Sequence, residues 1–248
     1  MNILEQYDIM PGKGLASLQQ AERDHLPVQV FFDQTAEILP AIGDTVRSEI
    51  IPNLDQYEGR WHPAAYMVYA LGAHATLGSL RLHIWPRDLR IREQREEGDI
   101  KDVHDHVLHI ASLVVKGTYS DDIYHVQNRG ANVSDEELAE RGLLRVFTPP
   151  QGVSGSDAMT TDGRVVSVRK SAERIIKGGD MHTIEAGVFH APTIPEDRLA
   201  ATLSFSSHRV NLAGPHILIA GPADPIKGAK RPVMPDEAEF VKQQMLEA

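Results

Sequence analysis

Two histidines one residue apart, His104 and His106, stand at the head of a largely apolar run from Val107 to Val115 that stops at Lys116-Gly117. In extended backbone, side chains alternate sides with period two, so both imidazoles point the same way. A third histidine, His190, closes the segment Gly187-Val-Phe-His190. Three imidazoles converging on one point make half of an octahedral coordination sphere and leave the rest open. Imidazole suits Fe, Zn, Cu and Ni alike, so the donor type does not choose among the divalent transition metals. The chain has no cysteine, which removes thiolate ligands, disulfides and cysteine nucleophiles together.

The rest of the composition narrows the function. The 248 residues suit one large domain, and the formal net charge is −10 with no compensating basic run. That argues against a nucleic-acid surface. No apolar run approaches the ~20 residues that span a bilayer, so no membrane association is expected. Met1-Asn-Ile-Leu-Glu-Gln-Tyr-Asp lacks the basic and apolar regions of a signal peptide, and the expectation is a cytoplasmic protein. His25, His62, His74 and His125 are read as surface or core residues without a role. Gly152, Gly155 and Gly163 lack the Gly-Lys-Ser/Thr of a phosphate loop. Ser154 and Ser156 have no nucleophile-elbow context.

The elements that must position the histidines follow from periodicity. Leu15–Leu26 is short and amphipathic, and Pro27 is placed to open the next helix. From Val28 to Ile51 the apolar residues recur with a helical period, with Pro40 and Gly43 as points of kinking and Pro52 as the end. Ala64–Ala75 reads as a further helix. Residues 1–76 therefore form a helical segment. Extended segments follow at Leu77–Trp85, Asp105–Val115, Ser120–Val126, Leu143–Phe147, Arg164–Arg169, Asp180–Ile184, Gly187–Pro192, Leu199–Ser207 and Pro215–Ala220. Leu89–Glu97 is charged and reads as an edge strand or a loop. Many short strands at close spacing predict an antiparallel sandwich or barrel over 77–225. Ser134–Arg141 carries a capping-box pattern, Ser134 with Glu137, and reads as a short helix. Pro149–Asp157 reads as a flexible loop. Residues 226–248 form a tail and a last helix, Asp236–Leu246, with Asp236 as its cap.

The histidines and glycines together resemble a known family. Gly98, five residues, His104-x-His106, ten residues and Gly117 look like the first signature of the cupin barrel. Gly179, five residues and Glu185-Ala-Gly187-Val-Phe-His190 resemble the second, with Glu185 in place of the usual proline and Ile194 in place of the usual asparagine. The resemblance spans about residues 77–220 and implies a mainly β fold. That fold is a cupin-type antiparallel barrel or jelly roll, here with a helical N-terminal segment and a C-terminal helix. Most metal cupins carry a glutamate ligand at the place of Ile110 or Ala111. Its absence leaves His104, His106 and His190 as the metal ligands and is similar to the thiol dioxygenases, the cysteine dioxygenase group.

That likeness implies Fe(II), with O2 and a small anionic or thiol/amino-acid-like molecule as substrates, and a dioxygenase or oxidase activity. Another divalent transition metal stays open. The Ser-x-His-x-Tyr relay of that group is not matched, since Thr202-Leu-Ser204-Phe-Ser206-Ser-His208 contains no tyrosine. This points away from free cysteine as substrate. Arg81 is the candidate carboxylate clamp and His208 the candidate acid–base helper. His109 has the wrong parity and faces away, while His182 could face inward. Tyr119 and Tyr124 read as core or edge residues. The helical N-terminal part could cap one barrel mouth or form a homodimer contact. Two rivals share the fold: a Zn- or Mn-dependent isomerase, lyase or hydrolase, and a non-catalytic cupin that binds a small ligand.

Overall fold

The protein is seen as a computed structural model. It describes residues 3–10, 26–62, 64–89, 103–131, 133–149, 158–195, 197–220, 226–227 and 231–247. The expected helix at Leu15–Leu26 (all but its last residue), the charged stretch beyond Leu89, the loop at 150–157 and most of the 221–230 tail lie outside these residues.

The chain opens with α1 (Ile3–Gln6) and α2 (Val28–Thr45), which runs on through a π turn (Val46–Ile50) and a 3-10 segment (Ile51–Gln56). Pro40 sits on the exposed side of α2 without splitting it. Gly43 is a site of close approach: a Cβ there would stand 2.4 Å from Leu113 Cδ2. Three strands follow, β1 (Gly59–His62), β2 (Tyr66–His74) and β3 (Gly78–Trp85). The helical reading of Ala64–Ala75 is thereby corrected. Met67 and Tyr69 are buried and alternate with half-buried Tyr66 and Val68, the period of a strand. The aromatic and β-branched residues outweigh the alanines. Residues 59–74 thus belong to the sheet, and the helical part of 1–76 is chiefly Val28–Gln56.

The remaining elements are β4 (Val103–His104), β5 (Ile110–Lys116), β6 (Thr118–Ala131), α3 (Asp135–Arg141), β7 (Leu144–Thr148), β8 (Ala158–Lys177), β9 (Met181–Ile184), β10 (Phe189–Thr193), β11 (Ala200–Ser206), β12 (Ile217–Ile219), β13 (Ile226–Lys227) and α4 (Pro235–Leu246). Ser134 caps α3 as expected, its Oγ accepting the Glu137 N–H at 3.2 Å. Met234, not Asp236, occupies the cap of α4, and Glu237 reaches back to accept the Met234 N–H. No helix among the described residues is long and apolar enough to cross a membrane.

The strands form two antiparallel sheets. One runs β1-β2-β3-β11-β5-β9 and the other β13-β8-β6-β10-β4-β12-β7, with β7 also pairing to β8. The main apolar core does not lie between them. Leu80, Leu82, Ile84, Leu113, Leu203 and Phe205 of the first sheet pack against Leu39, Ile42 and Leu54 of the helical segment and Val241 of α4. Alternation then turns Arg81, His83 and Trp85 of β3 and Thr202 and Ser204 of β11 to the opposite face. That face looks at the second sheet: Trp85 meets Tyr119 of β6, and Val114 of β5 clusters with Tyr119 and Ile176 of β8. The space between the sheets is accordingly lined by polar and aromatic groups.

Candidate metal centre

The three histidines come together at this polar face. One ring nitrogen from each of His104, His106 and His190 lies within 4.8 Å of the others. His104 ends β4 and stands directly opposite His190 of β10 in the ladder, with ring centroids 4.5 Å apart. His106 is not on the same strand, which corrects the reading of Asp105–Val115 as one extended segment. Its backbone has left the ladder, and its carbonyl accepts the Gly187 N–H at 2.8 Å. The His106 ring consequently lies nearly perpendicular to that of His104, at 85°, and its Nε2 is 3.0 Å from His190 Nε2.

A buried carboxylate sets the orientation of His190. Asp121 of β6 pairs with Pro192, two residues along β10, so it is a diagonal neighbour of His190 on the same face. Its Oδ1 is 2.8 Å from His190 Nδ1, and its Oδ2 is 2.9 Å from Nη2 of Arg174, directly opposite on β8. Asp121 is wholly buried. Burial pushes its pKa up, and Arg174 opposes that push. An ionised carboxylate only accepts, so His190 donates from Nδ1 and keeps its Nε2 lone pair for the cluster. His106 Nε2, 3.0 Å away, can donate its proton to that lone pair, and without that proton the two nitrogens would be available together to a metal cation.

Electrostatics favour the ligating form. Burial first, then the neighbouring histidines, hold His106 and His190 well below the ordinary imidazole range. Neutral imidazole is the form that binds a metal. Ile110 opens β5 and Ala111 is packed into the apolar core, so no carboxylate stands at either place. Among the described residues the donor set is three imidazole nitrogens, which fits a divalent transition metal.

The other sequence candidates divide. Arg81 lies on the inner face, opposite Ser204 and Ala70, one alternation from His83. Burial, and then the charge of Arg81, push the His83 pKa down to about 3. His182 of β9 also faces inward, opposite Ser112, with its ring 3.0 Å from the Tyr119 hydroxyl. Burial pushes its pKa down to about 4. His208 is not brought to the cluster. β11 has ended before it, and its Nε2 is 2.6 Å from the Ala75 carbonyl while its ring lines a small pocket with Leu26, Phe31 and His109. His109 faces away as expected, edge-on to Phe32 of α2, although the break after His104 means that strand parity is not the cause. Tyr124 belongs to the far face of the second sheet. There a cleft of about 590 Å³, with Val126, Val166 and Phe189 among its apolar walls, also holds Asp105 bonded to His216.

Sequence reasoning missed Asp121 and Arg174, although Asp121 falls within the extended segment read at Ser120–Val126. The available signal was position: Asp121 and Ile123 alternate along β6 in phase with Tyr119. An aspartate on the inward side of a strand needs a partner. No protein-family model matches the chain, and no curated protein matches it in sequence. Two facing sheets with a three-histidine cluster are compatible with a cupin-like fold.

Proposed function

We propose that the protein is a cupin of jelly-roll form and a non-haem Fe(II)-dependent dioxygenase or oxidase that acts on a small anionic substrate. The observation that carries this reading is the cluster itself: three imidazoles around one point, no carboxylate among them in the described residues, and one fixed from behind by Asp121. His104, His106 and His190 would hold the metal. Bound there, Fe(II) supplies redox chemistry and open positions for O2 and an anionic ligand. Neutral ligands leave the charge of the cation uncompensated, which favours an anion beside it.

The chain's own groups have separate duties. Asp121 orients His190, and Arg174 favours the ionised form of that carboxylate against the opposing effect of burial. Arg81 adds positive charge to the same space. Tyr119 and His182 share a proton between hydroxyl and imidazole.

Elemental analysis of untagged protein, beside the His104/His106/His190→Ala triple variant, tests the reading. The expected result is near-stoichiometric iron that disappears in the variant, with O2 uptake on screening small acids. Zinc or manganese lost in the same way, with no iron bound on anaerobic loading, would replace the oxygenase with a Lewis-acid enzyme. No metal under any loading would leave a ligand-binding protein.

A further inference from the structure

Arg81 differs from two other arginines that are wholly or partly buried. Arg145 is paired with Asp135 and Arg174 with Asp121. Among the described residues, nothing accepts a hydrogen bond from the Arg81 guanidinium and no carboxylate pairs with it. It is nevertheless largely buried, at the centre of the inner face of β3. A buried guanidinium without a counter-charge weakens the fold unless something negative comes to it. Two residues earlier on the same face, Ser79 Oγ is buried and has no hydrogen-bond partner among the described residues. Arg81 and Ser79 thus stand on the inner face of β3, and among the described residues neither the guanidinium nor the hydroxyl has an acceptor. A planar, two-oxygen anion matches the guanidinium fork.

The wall next to Arg81 is built of rings. Tyr66 stacks on His62 at 4.4 Å and lies 4.9 Å from Trp85 with planes 32° apart. Trp85 in turn lies 6.1 Å from Tyr119 at 23°. His83 sits edge-on to both Tyr66 and Trp85, and burial holds it neutral. Tyr66, His83 and Trp85 keep part of their surface open. Nearly parallel ring faces at one side of a site accept another flat ring by offset stacking and give an aliphatic chain no such match.

We propose that the substrate is an aromatic carboxylate, its two oxygens on Arg81 and Ser79 and its ring against the Tyr66–Trp85 wall. This rests on the reading that the histidine cluster is the reactive centre, and it replaces a small aliphatic acid with a flat, conjugated one. Arg81 becomes the anion receptor and the ring wall sets specificity.

Three probes of similar size separate the parts: benzoate, benzamide, which lacks the charge, and cyclohexanecarboxylate, which lacks the flat ring. Binding to the full-length protein is measured by calorimetry, as purified and after metal removal. Benzoate is expected to bind at least ten-fold more tightly than either analogue in both forms. Arg81→Gln should lose at least ten-fold for benzoate and Arg81→Lys less, and benzoate should quench a fluorescence signal that is missing in Trp85→Phe. Equal binding of benzamide and benzoate would overturn the anion receptor. Equal binding of cyclohexanecarboxylate would overturn the aromatic preference, and no binding of any probe would overturn both. Should Arg81→Gln not fold by near-UV circular dichroism, the comparison of probes on the unaltered chain still decides. Metal content, measured in parallel, separates the two readings. Protein that never takes up metal yet prefers benzoate keeps this site and loses the reactive centre. Iron-loaded protein without the preference loses this site alone.

Discussion

At the residue scale the cluster depends on a group that is not itself a ligand. Asp121→Asn keeps the size of the side chain but removes the charge that fixes His190 and pairs with Arg174. The expected outcome is a loss of about 10–100-fold in metal affinity, measured by Co(II) titration against a competing chelator. An unchanged affinity would mean that packing alone orients His190. The inward histidines also carry a pH dependence. His83 and His182 titrate near 3 and near 4 in the folded chain, against about 6.5 when unfolded. As pH falls below about 6.5 the unfolded chain takes up protons that the folded one refuses, so stability falls, and the loss levels off below the folded values. The limiting slope is about 1.4 kcal/mol per pH unit for each histidine. Urea midpoints of metal-free protein between pH 7 and 4 should drop less steeply in the His83→Gln/His182→Gln variant. The three clustered histidines were legible in the sequence because each sits in a short local pattern of histidine and glycine. Asp121 was not, because its meaning comes from a histidine 69 residues away.

At the scale of elements, the turn between β5 and β6 carries the chain from the first sheet to the second. Gly117 makes it possible: its φ is +80°, and a Cβ would stand 2.2 Å from the Leu199 carbonyl oxygen. Both the left-handed backbone and the clash with main chain oppose any side chain there. Gly117→Ala is expected to cost about 1–3 kcal/mol, read as a lower urea midpoint at unchanged slope. The same glycine belonged to the first sequence signature, so this turn was legible. The strands after residue 77 were mostly legible too, because turn residues bound them. β2 was misread because its alanines imitate a helix when alternation is not counted. The break after His104 went unseen because nothing in Asp105-His106 forbids extended backbone. It comes from distant partners, the Gly187 N–H and His216. Gly43 was read as a kink, although its role is to let α2 lie close on β5.

At the scale of the whole molecule, α4 returns to the first edge of the first sheet. Glu237 accepts hydrogen bonds from Trp61 Nε1 at 3.1 Å, Arg231 Nη2 at 2.8 Å and the Met234 N–H at 2.9 Å. Burial opposes its ionisation, but these donors prevail and hold its pKa down to about 2. The stability it contributes is present above the unfolded value near 4.5 and fades as pH falls towards 2. Glu237→Gln should therefore lower the thermal midpoint at pH 7 by a few degrees, and the gap should narrow in melts at pH 3.

The first sheet divides its labour residue by residue. Along β3 and β11 the outward side chains, Leu80, Leu82, Ile84, Leu203 and Phe205, are locked into the core with the helices, while Arg81, His83, Trp85 and Ser204 between them are not. Selection can therefore rewrite what the site recognises without reopening the question of whether the chain folds. A library randomised at Tyr66, Arg81, His83, Trp85 and Ser204 should return mostly soluble, cooperatively melting proteins, and one randomised at the five outward positions should return few. The chain has the makings of an evolvable scaffold, in which new specificities lie a few substitutions apart.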